Sequence, residues 1–382
     1  MYHVGHKIAS SIFFENNALN PCIYAKKIVI LHAKLFNDIN MKRNIAIIAG
    51  GDSSEYEVSL RSAAGIESFL ADQKQYTTTI VLLRGNEWKA LIKSQEPGAK
   101  NQDEWVEIDK NDFSYTYNGV KNTFDFAYIT IHGTPGENGV LQGYLDMIGL
   151  PYSCCGVLAA AMTFNKYTCN HYLKGFGVKV AESVLLRKSN SQYPIADILN
   201  IVGLPCFIKT NVGGSSFGVT KVKALEEVEP AIEKAFAEGD EVICEAFMKG
   251  IEITCGAYKT KEKAVAFPIT EVVTSNEFFD YDAKYNGQVD EITPARIPDE
   301  VRDAVQAMTL KIYDILGCKG IIRVDYILTG DKAKGERLEI NLLEVNTTPG
   351  MTATSFIPQQ VRAAGLNIGE VLSEIVEDNF IV

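Results

Sequence analysis

The chain has 382 residues, more than one hydrophobic core usually serves, so two or three domains with a cleft between them are expected. Its 46% hydrophobic and 22% charged residues exclude a disordered or fibrous protein, and a formal net charge of -11 excludes sequence-independent binding along nucleic-acid phosphates, which needs a surplus of Lys and Arg. No apolar run approaches the ~18 residues of a membrane span, and the scattered cysteines lack CxxC spacing or Cys/His pairing, so a reduced, soluble, cytoplasmic protein is expected rather than a zinc or disulfide scaffold.

Residues 1–40 differ in character from the rest, with an apolar stretch, Ile28 to Leu31, flanked by Lys26, Lys27, His32 and Lys34. This stretch is too short and interrupted for a signal sequence. We read 1–40 as an extension outside the fold and Met41 as the functional start, an accessory helix being the other reading. MKRNIAIIAGG then gives a strand and a glycine turn, SSEYEVSLRSAAGIESFL a helix, TTTIVLL a second strand, and DFAYITIHG a third that runs into HGTPGENGVLQGYLDMIG. Loops beyond the carboxyl ends of such strands are where open α/β sheets bind ligands.

Near residue 155 the pattern changes to a helix, VLAAAMTFNKYTCNHYLKG, and then to short strands, CFIKT and VTKV, around a Gly/Ser loop from Gly213 to Gly218. Backbone N–H groups in such a loop can close over phosphate oxygens. It is not a Walker A loop, since GxxxxGK[ST] is missing, and a plain turn is the bland alternative. Lys209 and Lys166 can reach the same phosphates. EVICEAFMKGIEIT offers backbone around Glu245 to Met248 for a purine edge and Glu252 for ribose hydroxyls, though it also reads as an ordinary strand. Cys206, Cys244 and Cys255 sit in apolar runs and read as small buried residues.

FFDYDAKYNGQVDE has neither helical nor strand period and reads as a long loop, a candidate lid. DEVRDAVQAMTLKIYDILG is a helix. Two apolar strands follow, IIRVDYIL and RLEINLLEVN, joined by the turn-rich TGDKAKGE. Side chains alternate along a strand, so Arg323 shares a face with Asp325 and Glu344 with Asn346. If the strands pair, two carboxylates and an amide oxygen converge beside one guanidinium, a set suited to magnesium on nucleotide phosphates. A buried Arg-Asp-Glu salt-bridge cluster is the alternative. NTTPGMTATS closes the series with amides and hydroxyls suited to an anion.

In this order, AGGDSSEYEVSL, HGTPGENGVLQG, GGSSFG, FFDYDAKY, RVDY and LLEVNTTPGMTATS resemble the D-alanine:D-alanine ligases of the ATP-grasp superfamily, and the likeness runs from Met41 to the end. The resemblance implies a mixed α/β (α+β) ATP-grasp fold behind a Rossmann-like open α/β domain. Its parts would be an N-terminal substrate domain at 41–154, a central ATP-grasp subdomain at 155–244 and a C-terminal one at 245–382. It implies that ATP and magnesium, two ions with manganese able to substitute, join two D-alanine molecules through D-alanyl phosphate for peptidoglycan precursors, in a cytoplasmic homodimer.

By the same resemblance Glu55 receives the first substrate's ammonium beside His132 and links to Ser215 and Tyr285. Lys166, Lys209, Lys284, Gly214 and Ser216 hold phosphates, and Glu245, Ala246, Met248 and Glu252 frame adenosine. Asp325, Glu344 and Asn346 bind metal, Arg323 and Gly350 stabilise the oxyanion, and Ser355 holds the second carboxylate. Tyr285 implies an amine acceptor over D-lactate. The sequence departs from the family pattern at Ala246, where lysine is common, at Asn138, where aspartate is usual, and at Thr210, where proline is frequent. A nucleotide-binding protein without catalysis would lack metal ligands that are present here. A Rossmann dehydrogenase is disfavoured because GGDSSE lacks the GxGxxG spacing.

Overall fold

The structure, a computed structural model, describes residues 42–93, 103–189, 193–213, 219–274, 289–330 and 336–381. The chain divides into two units, Met1–Arg43 and Asn44–Val382, and the architecture below is that of the second. The expectations for residues 1–40, for Gly214, Ser215 and Ser216, and for the lid with Lys284 and Tyr285 lie outside the described residues.

The first stretch holds β1 (Arg43–Gly50), α1 (Tyr56–Leu70), β2 (Tyr76–Arg84), β3 (Glu87–Ile92), β4 (Glu104–Asp109), β5 (Ser114–Tyr117), β6 (Val120–Asn122), β7 (Phe126–Ile129) and α2 (Val140–Ile148). Its sheet has the order β6-β5-β4-β3-β2-β1-β7, with β1 and β7 parallel. The β1 run is apolar at every position after Asn44 because both of its faces are covered. Ile45 and Ile47 pack into one core with Ala63 and Ile66 of α1, and Ala46 and Ile48 into another with Leu141 and Leu145 of α2. The strands read from sequence are β1, β2 and β7. The β3–β6 strands were not foreseen, because Glu, Lys, Asp and Thr interrupt their apolar alternation.

Next come α3 (Val157–Phe164), α4 (Lys166–Lys174), β8 (Ser183–Arg187), α5 (Ile195–Val202), β9 (Cys206–Thr210), β10 (Thr220–Val222), α6 (Val228–Glu238) and β11 (Glu241–Ala246). The four strands form an antiparallel sheet in the order β10-β9-β11-β8. The stretch expected as one helix, VLAAAMTFNKYTCNHYLKG, is two. Asn165 leaves helical geometry at φ -94°, ψ 99°, and its side chain accepts the Thr168 N–H at 2.9 Å, capping a fresh helix. The break turns Lys166 back toward Gly213.

The last stretch contains β12 (Gly250–Lys259), β13 (Ala264–Ala266), β14 (Thr270–Thr274), β15 (Val289–Ile292), α7 (Asp299–Leu316), β16 (Ile321–Thr329), β17 (Glu339–Asn346), α8 (Phe356–Ala363) and α9 (Ile368–Asp378). Its sheet runs β15-β14-β12-β16-β17, with β13 paired to β12. Helix α7 covers one face. It starts with Asp299 and Glu300 in its first turn and ends at Gly317 in the left-handed region, the charge and stop signals its sequence carries. The seven described cysteines are free thiols, all buried. Among the described residues, no helix is long and apolar enough to cross a membrane.

Buried Gln360 of α8 fastens that helix to the sheet. Its Oε1 accepts the Gly256 N–H at 2.8 Å, while Nε2 donates to Thr254 O at 3.0 Å and Thr270 Oγ1 at 3.1 Å. Glycine at 256 leaves room for this approach, since a Cβ there would lie 2.4 Å from Ile357 Cδ1 and 2.8 Å from Gln360 Oε1 and would push both side chains aside. Gln360→Ala should therefore lower unfolding free energy by about 1–3 kcal/mol for each backbone group left unpaired. Urea denaturation measures it; a loss below about 0.5 kcal/mol, the usual size for a neutral surface change, would show that the clamp contributes nothing.

Candidate functional site

Strand alternation on β16 decides what the site contains. Val324, Tyr326 and Leu328 enter the core under α7, while Arg323, Asp325 and Ile327 face a cavity of about 1620 Å³. On β12 the same rule sends Ile253 and Cys255 inward and Glu252 and Thr254 to the cavity. The antiparallel register sets Asp325 directly opposite Glu344 and Arg323 opposite Asn346. Just past that pair the register slips, Tyr326 facing Leu342, so Leu343 is the extra residue of a bulge. Bulges re-aim side chains in this way beside active sites.

Arg323 grips Asp325 with two hydrogen bonds, Nε at 2.9 Å and Nη2 at 2.7 Å, and its guanidinium lies 5.3 Å from the Phe356 ring centre at the start of α8. Burial opposes the Arg323 charge, but Asp325 and Glu344 more than offset it and hold its pKa above the ordinary value. The Asn346 amide donates to Asp325 at 3.1 Å. Among the described residues no three His, Cys, Asp or Glu side chains form a metal cluster. The acidic pair is instead completed by an amide, and Asp325 Oδ1, which accepts from Arg323 Nε, keeps a lone pair while Oδ2 accepts from both Arg323 and Asn346. Hard oxygen donors of this kind fit magnesium.

Two strand-end loops form another wall. The Ser53 hydroxyl accepts the Glu55 N–H at 3.2 Å and donates to the His132 carbonyl at 2.7 Å, which brings Glu55, at the start of α1, alongside His132. Ser355, at the N-terminus of α8, accepts the Thr352 N–H at 3.1 Å and lies 2.7 Å from Thr352 Oγ1, so its hydroxyl is fixed where helix amides favour an anion.

The four-stranded sheet supplies the cations. Lys209 and Phe207 on β9 face the cavity while Cys206 and Ile208 are core. Lys209 meets Glu245 at 2.5 Å, both nearly buried. Burial lowers the Lys209 pKa but Glu245 reverses this, leaving it raised; Lys166 is lowered, chiefly by burial, and its Nζ donates to Gly213 O at 2.6 Å.

Ala246, Met248 and Glu252 line the same cavity, as does Gly350. The Ala246 N–H is already bonded to Glu182 O at 2.9 Å, so a purine edge would find its donors further along the chain. Every described residue expected at the site from sequence lines this one cavity. The departures at 138 and 210 leave the backbone regular. Asn138 accepts the Val140 N–H at 3.2 Å, and Thr210 continues β9 opposite Val242.

Sequence reasoning passed over Glu137, which lines the cavity and accepts the Gly133 N–H at 2.7 Å. Its signal was present, a carboxylate within the glycine loop HGTPGENG, but nothing there distinguished it from a turn residue. Burial chiefly pushes its carboxyl up to about 7; the Gly133 N–H opposes this and the charges of Glu55 and Glu344 add to it. The cavity exceeds the roughly 300–1,000 Å³ of a single small-molecule site.

Residues 44–155 match the family described as D-ala D-ala ligase N-terminus and residues 172–377 the one described as D-ala D-ala ligase C-terminus. Among curated relatives, a D-alanine–D-alanine ligase of Phocaeicola vulgatus is 62% identical over 342 residues, 89% of this chain and 100% of the relative. One of Bacteroides fragilis is 63% identical over 340 residues, again 89% and 100%. Among solved structures, a D-Ala:D-Ser ligase from Enterococcus faecalis aligns with TM-score 0.76 at 30% identity, covering 88% of this chain and 99% of that one. A D-alanine–D-alanine ligase from Bacillus anthracis complexed with ATP aligns with TM-score 0.67 at 27% identity, covering 88% and 97%.

Glu137 carries a pH prediction. The native state keeps its proton above the ordinary value of 4.5, where the unfolded chain has lost it, so its contribution to stability falls as pH rises from about 4.5 to about 7 and is level beyond. Glu137→Gln removes that slope. In urea melts the variant should gain on the wild type between about pH 5 and pH 7.5, whereas parallel profiles would show an ordinary carboxylate.

Proposed function

The chain belongs to the D-alanine–D-alanine ligase family, and we propose from this that it joins two D-alanine molecules in an ATP-dependent ligation through D-alanyl phosphate. One observation carries the reading. The Asp325–Glu344 pair, set by strand register, shares a single cavity with Lys166, Lys209, Glu55 and Ser355.

A carboxylate is a poor electrophile, so the first D-alanine must be activated. A carboxylate oxygen attacks the terminal phosphorus of ATP, the bond to the departing ADP breaks, and D-alanyl phosphate forms. Lys166 and Lys209 counter the charge spread over the transferred group, with Lys284, Gly214 and Ser216 assigned by resemblance alone. Asp325, Glu344 and Asn346 would hold two magnesium ions, or manganese, which neutralise phosphate charge when bound. Glu55 takes the first substrate's ammonium, with His132 beside that substrate and Ser215 and Tyr285 linked to Glu55 by resemblance. Glu245 to Met248 and Glu252 frame adenosine.

The second D-alanine, its carboxylate at Ser355 and the α8 N-terminus, attacks the acyl carbon with its free amine. Negative charge then develops on the carbonyl oxygen, where Arg323 and the Gly350 backbone stabilise it, until phosphate leaves. The amine's proton ends on the departing phosphate, and the peptide bond remains. Arg323 is suited to this because Asp325 holds it from one side while Phe356 covers it from another. The product is a peptidoglycan precursor, and the same reading gives a cytoplasmic homodimer with segment boundaries near residues 154 and 244.

Purified protein with ATP and magnesium should release ADP only when D-alanine is added, and should use D-alanine over L-alanine, D-serine and D-lactate as acceptor. Incorporation of D-lactate at neutral pH would remove the amine preference. Glu344→Ala should cut ligation by roughly 10²–10³-fold with an unchanged circular dichroism spectrum; a fully active variant would sink the metal assignment.

A further inference from the structure

We propose that Ser62 is a positioning residue that fixes the proton of His132 on Nδ1 and ties that ring to the Gly350–Met351 turn. Ser62 is on α1 and fully buried. Its Oγ lies 3.2 Å from the Met351 N–H and 3.4 Å from His132 Nε2. Catalytic hydrogen bonds are often this long before substrate binds.

One hydroxyl has one proton, and the hydrogen-bond count decides where it goes. Met351 N is a donor only, so Ser62 Oγ accepts there and its own proton is available for His132 Nε2. The reverse arrangement, Nε2–H into Oγ, leaves a buried hydroxyl proton with no acceptor, which is costly. The chain therefore runs Met351 N–H to Ser62 Oγ–H to Nε2, which leaves Nδ1–H as the donor of the ring.

The packing around this chain is tight on both sides. One turn further along α1, a Cβ on Gly65 would lie 2.2 Å from the Met351 carbonyl oxygen, so the helix backbone rests directly on the turn. On the other side the Ser53 hydroxyl holds the His132 carbonyl at 2.7 Å. Helix α1 thus joins the ring beside the first substrate to the turn that carries the oxyanion amide. This inference rests on reading His132 as the neighbour of that substrate.

The test combines spectroscopy with kinetics. In wild-type protein labelled with 15N in its histidine rings, the signal absent from His132→Gln identifies His132. A protonated Nδ1 and a bare Nε2 are expected, and a protonated Nε2 overturns the proposal. Ser62→Ala should raise the KM for the first D-alanine by about 10-fold, the size of one net hydrogen bond, and lose the tautomer preference while the KM for ATP stays constant. Ser62→Thr should restore both. A folded Ser62→Ala protein with an unchanged KM for the first D-alanine overturns the coupling to substrate, and if the variant does not fold, the wild-type tautomer decides alone. An unchanged KM in His132→Gln would overturn the substrate reading of His132 instead, and the wild-type tautomer then judges the hydrogen-bond chain separately.

Discussion

The antiparallel register of β16 and β17 is the constraint on which the site depends. It sets two carboxylates, Asp325 and Glu344, face to face on a largely buried strand surface. Like charges so placed repel one another and lose hydration, and they persist only with positive charge at hand. Arg323, two residues before Asp325, supplies part of it through a bidentate contact. A slip of one residue in β17 would turn Glu344 toward the core beneath α7 and away from Asp325. The bulge at Leu343 begins immediately beyond the acidic pair, so the irregularity reorients the rest of β17 without disturbing it.

The remaining charges divide into held and available ones. Lys209 and Glu245 neutralise each other at short range, so this pair changes little when a phosphate arrives. Lys166 is different. Burial weakens its charge, nearby Lys209 adds to the effect, and its ammonium donates to the neutral Gly213 carbonyl. An incoming anion relieves that lysine more than it does Lys209, which already has Glu245 as a partner. The break at Asn165 makes this possible, since Lys166 on a continuous helix would have lacked the Asn211 and Gly213 carbonyls that anchor it.

Much of this was legible because period-2 alternation in β16 and β17 converts sequence directly into direction. Spacing alone could put Arg323 on one face with Asp325 and Glu344 on one face with Asn346, and bringing the two pairs together needed the pairing of the two strands. The α7 boundaries were equally plain, acidic residues at one end and glycine at the other. What could not be read depended on distant partners. Nothing local marks Asn165 as a helix break, because the cap forms only once its amide turns back on Thr168. Glu137 looked like a turn residue until the fold enclosed it, and Ser62 gains meaning only through Met351, hundreds of positions away. The β3–β6 strands were missed because their sheet edge tolerates polar side chains that blur alternation.

The buried thiols have a practical consequence. Cys154 belongs to the core beneath α2, Cys206 and Cys244 to the core of the four-stranded sheet, and Cys169, Cys255 and Cys318 to the one under α7. Sulfur atoms are thereby distributed among regions with separate hydrophobic interiors, each shielded from solvent in the native state. Alkylating reagents followed by peptide mapping would time the opening of each interior individually, so the protein carries its own set of reporters for the order in which its parts come undone.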